Sequence, residues 1–229
     1  MVSLYFTSKK VLIFDLDGTL IDSALDLALA INHMLITLNK TPFDESTIHT
    51  WVGNGAQILV QRALSGSIKI NSNIEDTYVA QALDIFLNYY AKHLCVKTQL
   101  YPQVHSTIHH LKQNGYTLAI VTNKPYAFVS PILECLGLAN IFDIILGGDS
   151  LCEKKPHPMP LMHVAKQCKV TIQECIMIGD SKNDILAAKA CNMHSIAVRY
   201  GYNYGESIAS YKPNAIVDNF SEIQGIINA

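Results

Sequence analysis

Asp15 and Asp17 stand two residues apart in "KKVLIFDLDGTL" (residues 9–20), directly after the apolar, partly β-branched run at 11–14. Such a run reads as a parallel strand covered on both faces. Carboxylates are costly to bury unpaired, so their place at the end of a core strand asks for a chemical role. A carboxylate can attack phosphorus and form an aspartyl-phosphate, dividing one hard hydrolysis into two easier steps. Asp15 is placed for that attack. Asp17 can protonate the leaving alkoxide and later activate water. Gly18 permits a tight turn whose backbone N–H groups point at phosphate oxygens.

Further along, polar groups recur in the same kind of place. Thr122 and Asn123 end a second strand-like run, "YTLAIVTN", where a hydroxyl and an adjacent backbone N–H can hold a phosphate oxygen. Lys155 supplies a point charge for a phosphoryl group, and Asp180 closes "CIMIGD". Several carboxylates around a dianionic substrate would repel it unless a cation intervenes. Mg²⁺ meets that need, because it favours oxygen ligands and often shares one or two carboxylates with substrate phosphate. Asp15, Asp180 and a backbone carbonyl near Asp17 form such a set, and Asp184 can hold a metal-bound water. Each motif alone has a plainer reading as a turn, a helix cap or a surface lysine. Their occurrence in order, at successive strand ends, is what points to one site.

The elements that must position these residues fall into two styles. Residues 22–95 are helical in pattern. Asp22-Ser23 can cap a helix with the stripe Leu27, Ile31, Met34, Leu35, Leu38. Asp44 can cap a short helix, Ala56 to Leu64 carry another up to Gly66, and Asn73 opens a longer one. From about residue 100, strands and helices alternate, which implies a doubly wound parallel sheet covered on both faces. In such sheets ligands bind beyond the carboxyl ends of the strands. The expectation is an α/β, Rossmann-like core of residues 1–21 and 96–229, with an all-helical cap at 22–95 set over the first strand's end.

Bulk properties narrow the field. The 229 residues carry a net charge of -2, so no basic field advertises nucleic acid. The six cysteines form no CxxC motif, which suits free thiols in a reducing compartment. "MVSLYFTSKK" puts its apolar run before the lysines, the reverse of an export signal. No stretch approaches the roughly 20 apolar residues of a membrane span. A soluble, cytoplasmic protein follows, without a nucleic-acid or membrane partner, acting as a monomer or homodimer on a small phosphorylated metabolite.

"DLDGT", "VTN", "KPHP" and "GDSKND" resemble the four ordered motifs of the haloacid dehalogenase superfamily, and the helical stretch between the first two resembles its C1-type cap. The resemblance implies a mobile cap and Mg²⁺-dependent phosphoryl transfer through an aspartyl-phosphate. It implies Asp15 as nucleophile, Asp17 as general acid/base, Thr122 and Lys155 on phosphate, and Asp15, the Asp17 carbonyl and Asp180 on Mg²⁺. An aspartate at position 17 sets aside the dehalogenase branch, which lacks it, and the transport ATPases, which carry lysine there. "WVGNGA" (51–56), "VTNKP" (121–125) and "YGYNYGE" (200–206) are similar to the phosphoglycolate phosphatase branch, which implies 2-phosphoglycolate as the ester. Gln103 departs from that branch, where glycine is common. A β-phosphoglucomutase-like phosphomutase, a phosphatase for another sugar phosphate and a catalytically idle binding module are the rival readings. In the cap, Gly53-Asn54-Gly55 can bring its backbone close to a small ligand or merely separate two helices. Arg62 can meet a substrate carboxylate or be an ordinary solvated arginine.

Overall fold

The computed structural model describes residue 6 and residues 8–227; the N-terminal stretch read above as unlike an export signal lies mostly outside them. Its elements are β1 (Val11–Phe14), β2 (Ile21–Asp22), α1 (Ala24–Thr37), α2 (Glu45–His49), α3 (Ala56–Ser65), α4 (Asp76–Tyr90), β3 (Gln99–Leu100), α5 (Val104–Gln113) and β4 (Thr117–Val121). There follow α6 (Tyr126–Cys135), β5 (Ile144–Leu146), α7 (Met159–Gln167), β6 (Cys175–Gly179), α8 (Lys182–Ala190), β7 (His194–Val198), β8 (Ala215–Val217) and α9 (Glu222–Ile227). Six strands form one parallel sheet in the order β5-β4-β1-β6-β7-β8.

β1 is apolar on both faces because both are covered. Leu12 and Phe14 pack with Ile108, Leu111, Ile132 and Ile223, from α5, α6 and α9. Val11 and Ile13 pack with Leu161, Val164 and Ala188, from α7 and α8. The register brings the strand ends together: Phe14 is level with Ile120 of β4 and with Ile178 of β6. Residues that follow these three therefore emerge side by side, at the point where the strand order reverses.

The helices α1–α4 pack on one another around their own cluster, which includes Ile31, Met34, Trp51, Val60 and Phe86. Trp51 lies edge-on to Phe43, with centroids 5.1 Å apart. The two crossings between this bundle and the sheet are hydrogen-bonded to each other, since β2 pairs with β3 antiparallel. Asp44 caps α2 as the sequence indicates, accepting from the Thr47 N–H at 2.7 Å, and Gly66 ends α3 in the left-handed region. At the start of α1, Asp22 of the expected Asp22-Ser23 cap accepts from the Ala24 N–H at 3.3 Å, whereas the Ser23 side chain makes no cap bond. Instead the Tyr202 hydroxyl accepts from the Ser23 and Ala24 N–H groups at 2.9 and 3.1 Å, leaving the Ser23 hydroxyl to donate to Asp17. Gln103 sits at φ 66°, a left-handed position that explains why glycine suits it.

The cysteines correct another expectation. Cys95 and Cys135 form a disulfide, whereas Cys152, Cys168, Cys175 and Cys191 are free. The partners lie 40 residues apart and meet only because α6 packs beside the linker after α4, which spacing along the chain does not reveal.

Asp26, 1% exposed, fastens that returning linker. Its carboxylate accepts from the N–H groups of Val96, Lys97 and Thr98 and from the Thr98 hydroxyl, at 2.8–3.0 Å. Asp26→Ala leaves these donors without their acceptor, so a loss of about 2–4 kcal/mol in urea unfolding is expected. A loss under about 1 kcal/mol would show that the linker is held by other contacts.

Candidate active site

Asp15, first after β1, is buried, and its Oδ1 accepts from the Leu16 N–H at 2.7 Å and lies 2.9 Å from Lys155 Nζ. Its Oδ2 has no hydrogen-bond partner among the described residues, and the residue lines a cavity between sheet and bundle. Lys155 Nζ also lies 2.6 Å from Asp184 Oδ1. The other Asp184 oxygen accepts from the Ser181 N–H and hydroxyl, closing a capping box on α8. Asp180 is held by the Thr19 hydroxyl at 2.7 Å and the Tyr202 N–H at 2.6 Å.

Asp15, Asp180 and Asp184 offer one oxygen each within 4.8 Å of one another. Burial, with Asp184 nearby, pushes the Asp15 carboxyl up to about 7 even though Lys155 pulls the other way. Burial, then Asp184 and Asp15, raises Asp180 well above the usual carboxylate range. Burial alone would lower Lys155, but Asp15 and Asp184 hold it above its ordinary value. A dense, buried set of carboxylate oxygens is the donor set a hard divalent cation fits. Gly18 completes the cradle: at φ +88°, a Cβ there would come within 2.3 Å of Asp180 Oδ2.

The structure brings Asp15, Asp17, Thr122, Asn123, Lys155, Asp180 and Asp184 together as buried or part-buried neighbours. Gly18 differs from its expected use, since its N–H donates to the Ile21 carbonyl at 2.9 Å and is not free for phosphate. Asn123 donates to the carbonyls of Gly53 and Lys155, while its buried Oδ1 lacks a partner among the described residues. Arg62 is drawn away from the cavity: it donates to the carbonyls of Trp51 and Ile68 and stacks 5.3 Å over Tyr204. Asn54 is absent from the cavity lining, and its carbonyl accepts from Lys154 at 3.2 Å.

The loop Gly53-Asn54-Gly55 serves neither of its two expected uses alone. The Gly53 carbonyl accepts from both Asn123 and Asn183 at 3.1 Å, so the loop docks the bundle on the sheet. A Cβ on Gly53 would lie 2.5 Å from the Tyr204 hydroxyl. Tyr202 and Tyr204 show what "YGYNYGE" does: one grips Asp180 and the start of α1, the other packs under the docking loop.

Lys124 and Tyr90 were not singled out by sequence, although Lys124 lies within "VTNKP". Lys124 Nζ is 2.9 and 3.2 Å from the Asp17 oxygens and donates to the Tyr90 hydroxyl at 2.7 Å. Burial opposes its charge, yet Asp17 and Tyr90 keep its pKa above the ordinary lysine value. Burial lifts Tyr90 to about 12.

Residues 12–198 match the haloacid dehalogenase-like hydrolase family. The chain belongs to that family. It is 54% identical over 215 residues to the phosphoglycolate phosphatase of Colwellia psychrerythraea, spanning 94% of this chain and 95% of that protein. It is 47% identical to that of Psychrobacter arcticus, over 94% of both chains. A predicted phosphoglycolate phosphatase from Haemophilus somnus, solved by crystallography, superimposes with a TM-score of 0.90 at 40% identity, covering 96% of this chain and 98% of its own. This hydrolase-family fold therefore extends through the helical bundle as well as the sheet.

The raised carboxyls set a pH dependence. A folded-state pKa near 7 for Asp15 against about 4 unfolded means the folded state holds the extra proton between those values, so stability falls as pH rises through that window. For the cation-free protein, a loss on the order of 4 kcal/mol from Asp15 between pH 4 and 8 is the expected ceiling. A divalent cation should raise the unfolding temperature more at pH 8 than at pH 5; equal shifts at both would contradict a site built from these carboxyls.

Proposed function

We propose that this hydrolase-family member cleaves 2-phosphoglycolate to glycolate and phosphate, with Mg²⁺, through an aspartyl-phosphate on Asp15. The observation that carries the reading is Asp15 itself: a buried carboxylate with one oxygen fixed by Lys155 and Leu16 and the other unpartnered, facing a cavity. The named activity of relatives sharing about half of its sequence over nearly the whole chain supports the choice of ester.

In this reading Asp15 Oδ2 attacks phosphorus, and the bond to the ester oxygen breaks. Asp17, two residues on and lining the same cavity, gives its proton to the leaving glycolate oxygen. It then takes a proton from water as that water attacks the phosphorus of the acyl phosphate, releasing phosphate and restoring Asp15. Lys155 and the Thr122 hydroxyl hold the phosphoryl oxygens. Asp15, Asp180 and the Asp17 carbonyl would hold Mg²⁺, which when bound would supply the charge neutralisation a dianion needs beside carboxylates. Asp184 fixes Lys155 between itself and Asp15. Residues 22–95 act as the cap that excludes water and selects the ester, with Gly53 as its docking point.

Phosphate release from 2-phosphoglycolate, sugar phosphates, nucleotides and pyrophosphate tests this directly. The expected result is a kcat/KM for 2-phosphoglycolate at least about tenfold above the others, lost on chelation. Activity led by another ester would overturn the substrate. Asp15→Asn should lower turnover by about 10³-fold or more with the unfolding transition retained; substantial residual turnover would overturn the nucleophile. Asp180→Ala should chiefly raise the Mg²⁺ concentration needed for half-maximal rate, and an unchanged Mg²⁺ response would remove Asp180 from the metal set.

A further inference from the structure

Among the residues lining the cavity, Lys124 is the one cation, and its large apolar neighbours there include Leu27, Val52, Leu59, Phe86 and Phe128. Its ammonium is buried, 5% exposed overall, and is approached by Asp17 from the sheet side and Tyr90 from α4. The Tyr90 hydroxyl accepts from Lys124, and its own proton has no acceptor among the described residues. Two donors thus meet at one point of an otherwise apolar wall, contributed by the sheet and by the helical bundle.

We propose that Lys124 and Tyr90 form the recognition point for an anionic group on the leaving side of the ester, and so restrict the substrate to short phosphate esters bearing a carboxylate. The inference rests on the phosphatase reading above and supplies a specificity-determining pair for it. The geometry fixes the length. Asp17 has to reach the ester oxygen, and Lys124 lies within hydrogen-bonding distance of Asp17. A carboxylate one methylene beyond that oxygen falls next to the ammonium, whereas a longer chain would have to fold back against Phe86 and Phe128. A carboxylate there accepts from the Lys124 ammonium and the Tyr90 O–H, taking one of the ammonium protons now shared with Asp17. Charge-assisted bonds of this kind are strong in a dry wall, and a neutral ester leaves the lysine without its anion. Arg62 does not line the cavity, and its Nε and Nη1 donate to the Ile68 and Trp51 carbonyls.

The test compares 2-phosphoglycolate with 2-hydroxyethyl phosphate, which has the same chain length and no carboxylate, in the full-length enzyme with Mg²⁺. The wild-type ratio of kcat/KM values should favour 2-phosphoglycolate by about 10²-fold or more. Lys124→Met should collapse that ratio to within about fivefold of unity, whatever loss the two esters share. Tyr90→Phe, which removes one hydroxyl and keeps the ring, should lower the ratio by about five- to twentyfold and decides the question if Lys124→Met does not fold. An unchanged ratio in the variants overturns the recognition point and leaves the phosphatase reading standing. A wild-type ratio near one, with another ester preferred, instead overturns the 2-phosphoglycolate reading.

Discussion

The Lys155 ammonium lies between Asp15 and Asp184, and the rest of the core can be understood as what it takes to keep that contact buried. Two like charges 4 Å apart repel by about 4 kcal/mol at an effective dielectric near 20. Asp15, Asp180 and Asp184 crowd within a comparable distance with one lysine among them. Local donors take up the remainder: the Leu16 N–H for Asp15, the Ser181 cap for Asp184, and Thr19 with the Tyr202 N–H for Asp180. The parallel register supplies these donors, because β1, β6 and β7 are paired side by side and their following residues emerge at one edge. Three buried carboxylates whose oxygens lie within 4.8 Å of one another make a donor set that fits a divalent cation.

The same economy of partners joins the bundle to the sheet. Tyr202 uses its backbone N–H on Asp180 and its hydroxyl on the first turn of α1, where it also donates to Asp22. Tyr204 packs against the docking loop and accepts from Asn183, which also donates to Gly53. Position of the bundle is therefore tied, through one short C-terminal loop, to the aspartate that would carry the metal. With the Tyr202 hydroxyl on the N–H groups of Ser23 and Ala24, the Ser23 hydroxyl donates to Asp17, so a helix start and a cavity-lining carboxylate are set by one arrangement.

The strands and helices of the core lay open in the sequence because burial on both faces writes itself as continuous apolar runs, as in β1, β4 and β6. The residues at their ends followed, since parallel pairing leaves few places for strand ends to go. What stayed hidden has a common cause. Lys124 reads as an ordinary loop lysine until Tyr90, 34 residues before it in the chain, is seen beside it. The Cys95–Cys135 bond, the Tyr202 cap on α1 and the Gly53 carbonyl between two asparagines likewise join positions 40 to 180 residues apart. Gly18 was legible as a turn but not as a close approach to Asp180, because that contact spans 162 residues of chain and leaves no local pattern.

These hidden contacts share a direction. The carboxylates, Thr122 and Lys155 all come from the sheet, and nothing in their arrangement distinguishes one phosphate ester from another. Along the cavity the bundle's polar contribution is the Tyr90 hydroxyl, with the glycine backbone of the docking loop. Lys124 follows β4 in the sheet yet donates to that hydroxyl, so its ammonium is held from both the sheet and α4. Sheet and bundle thereby meet at Asp17. Its oxygens accept from Ser23 at the start of the bundle and from Lys124 at the end of β4.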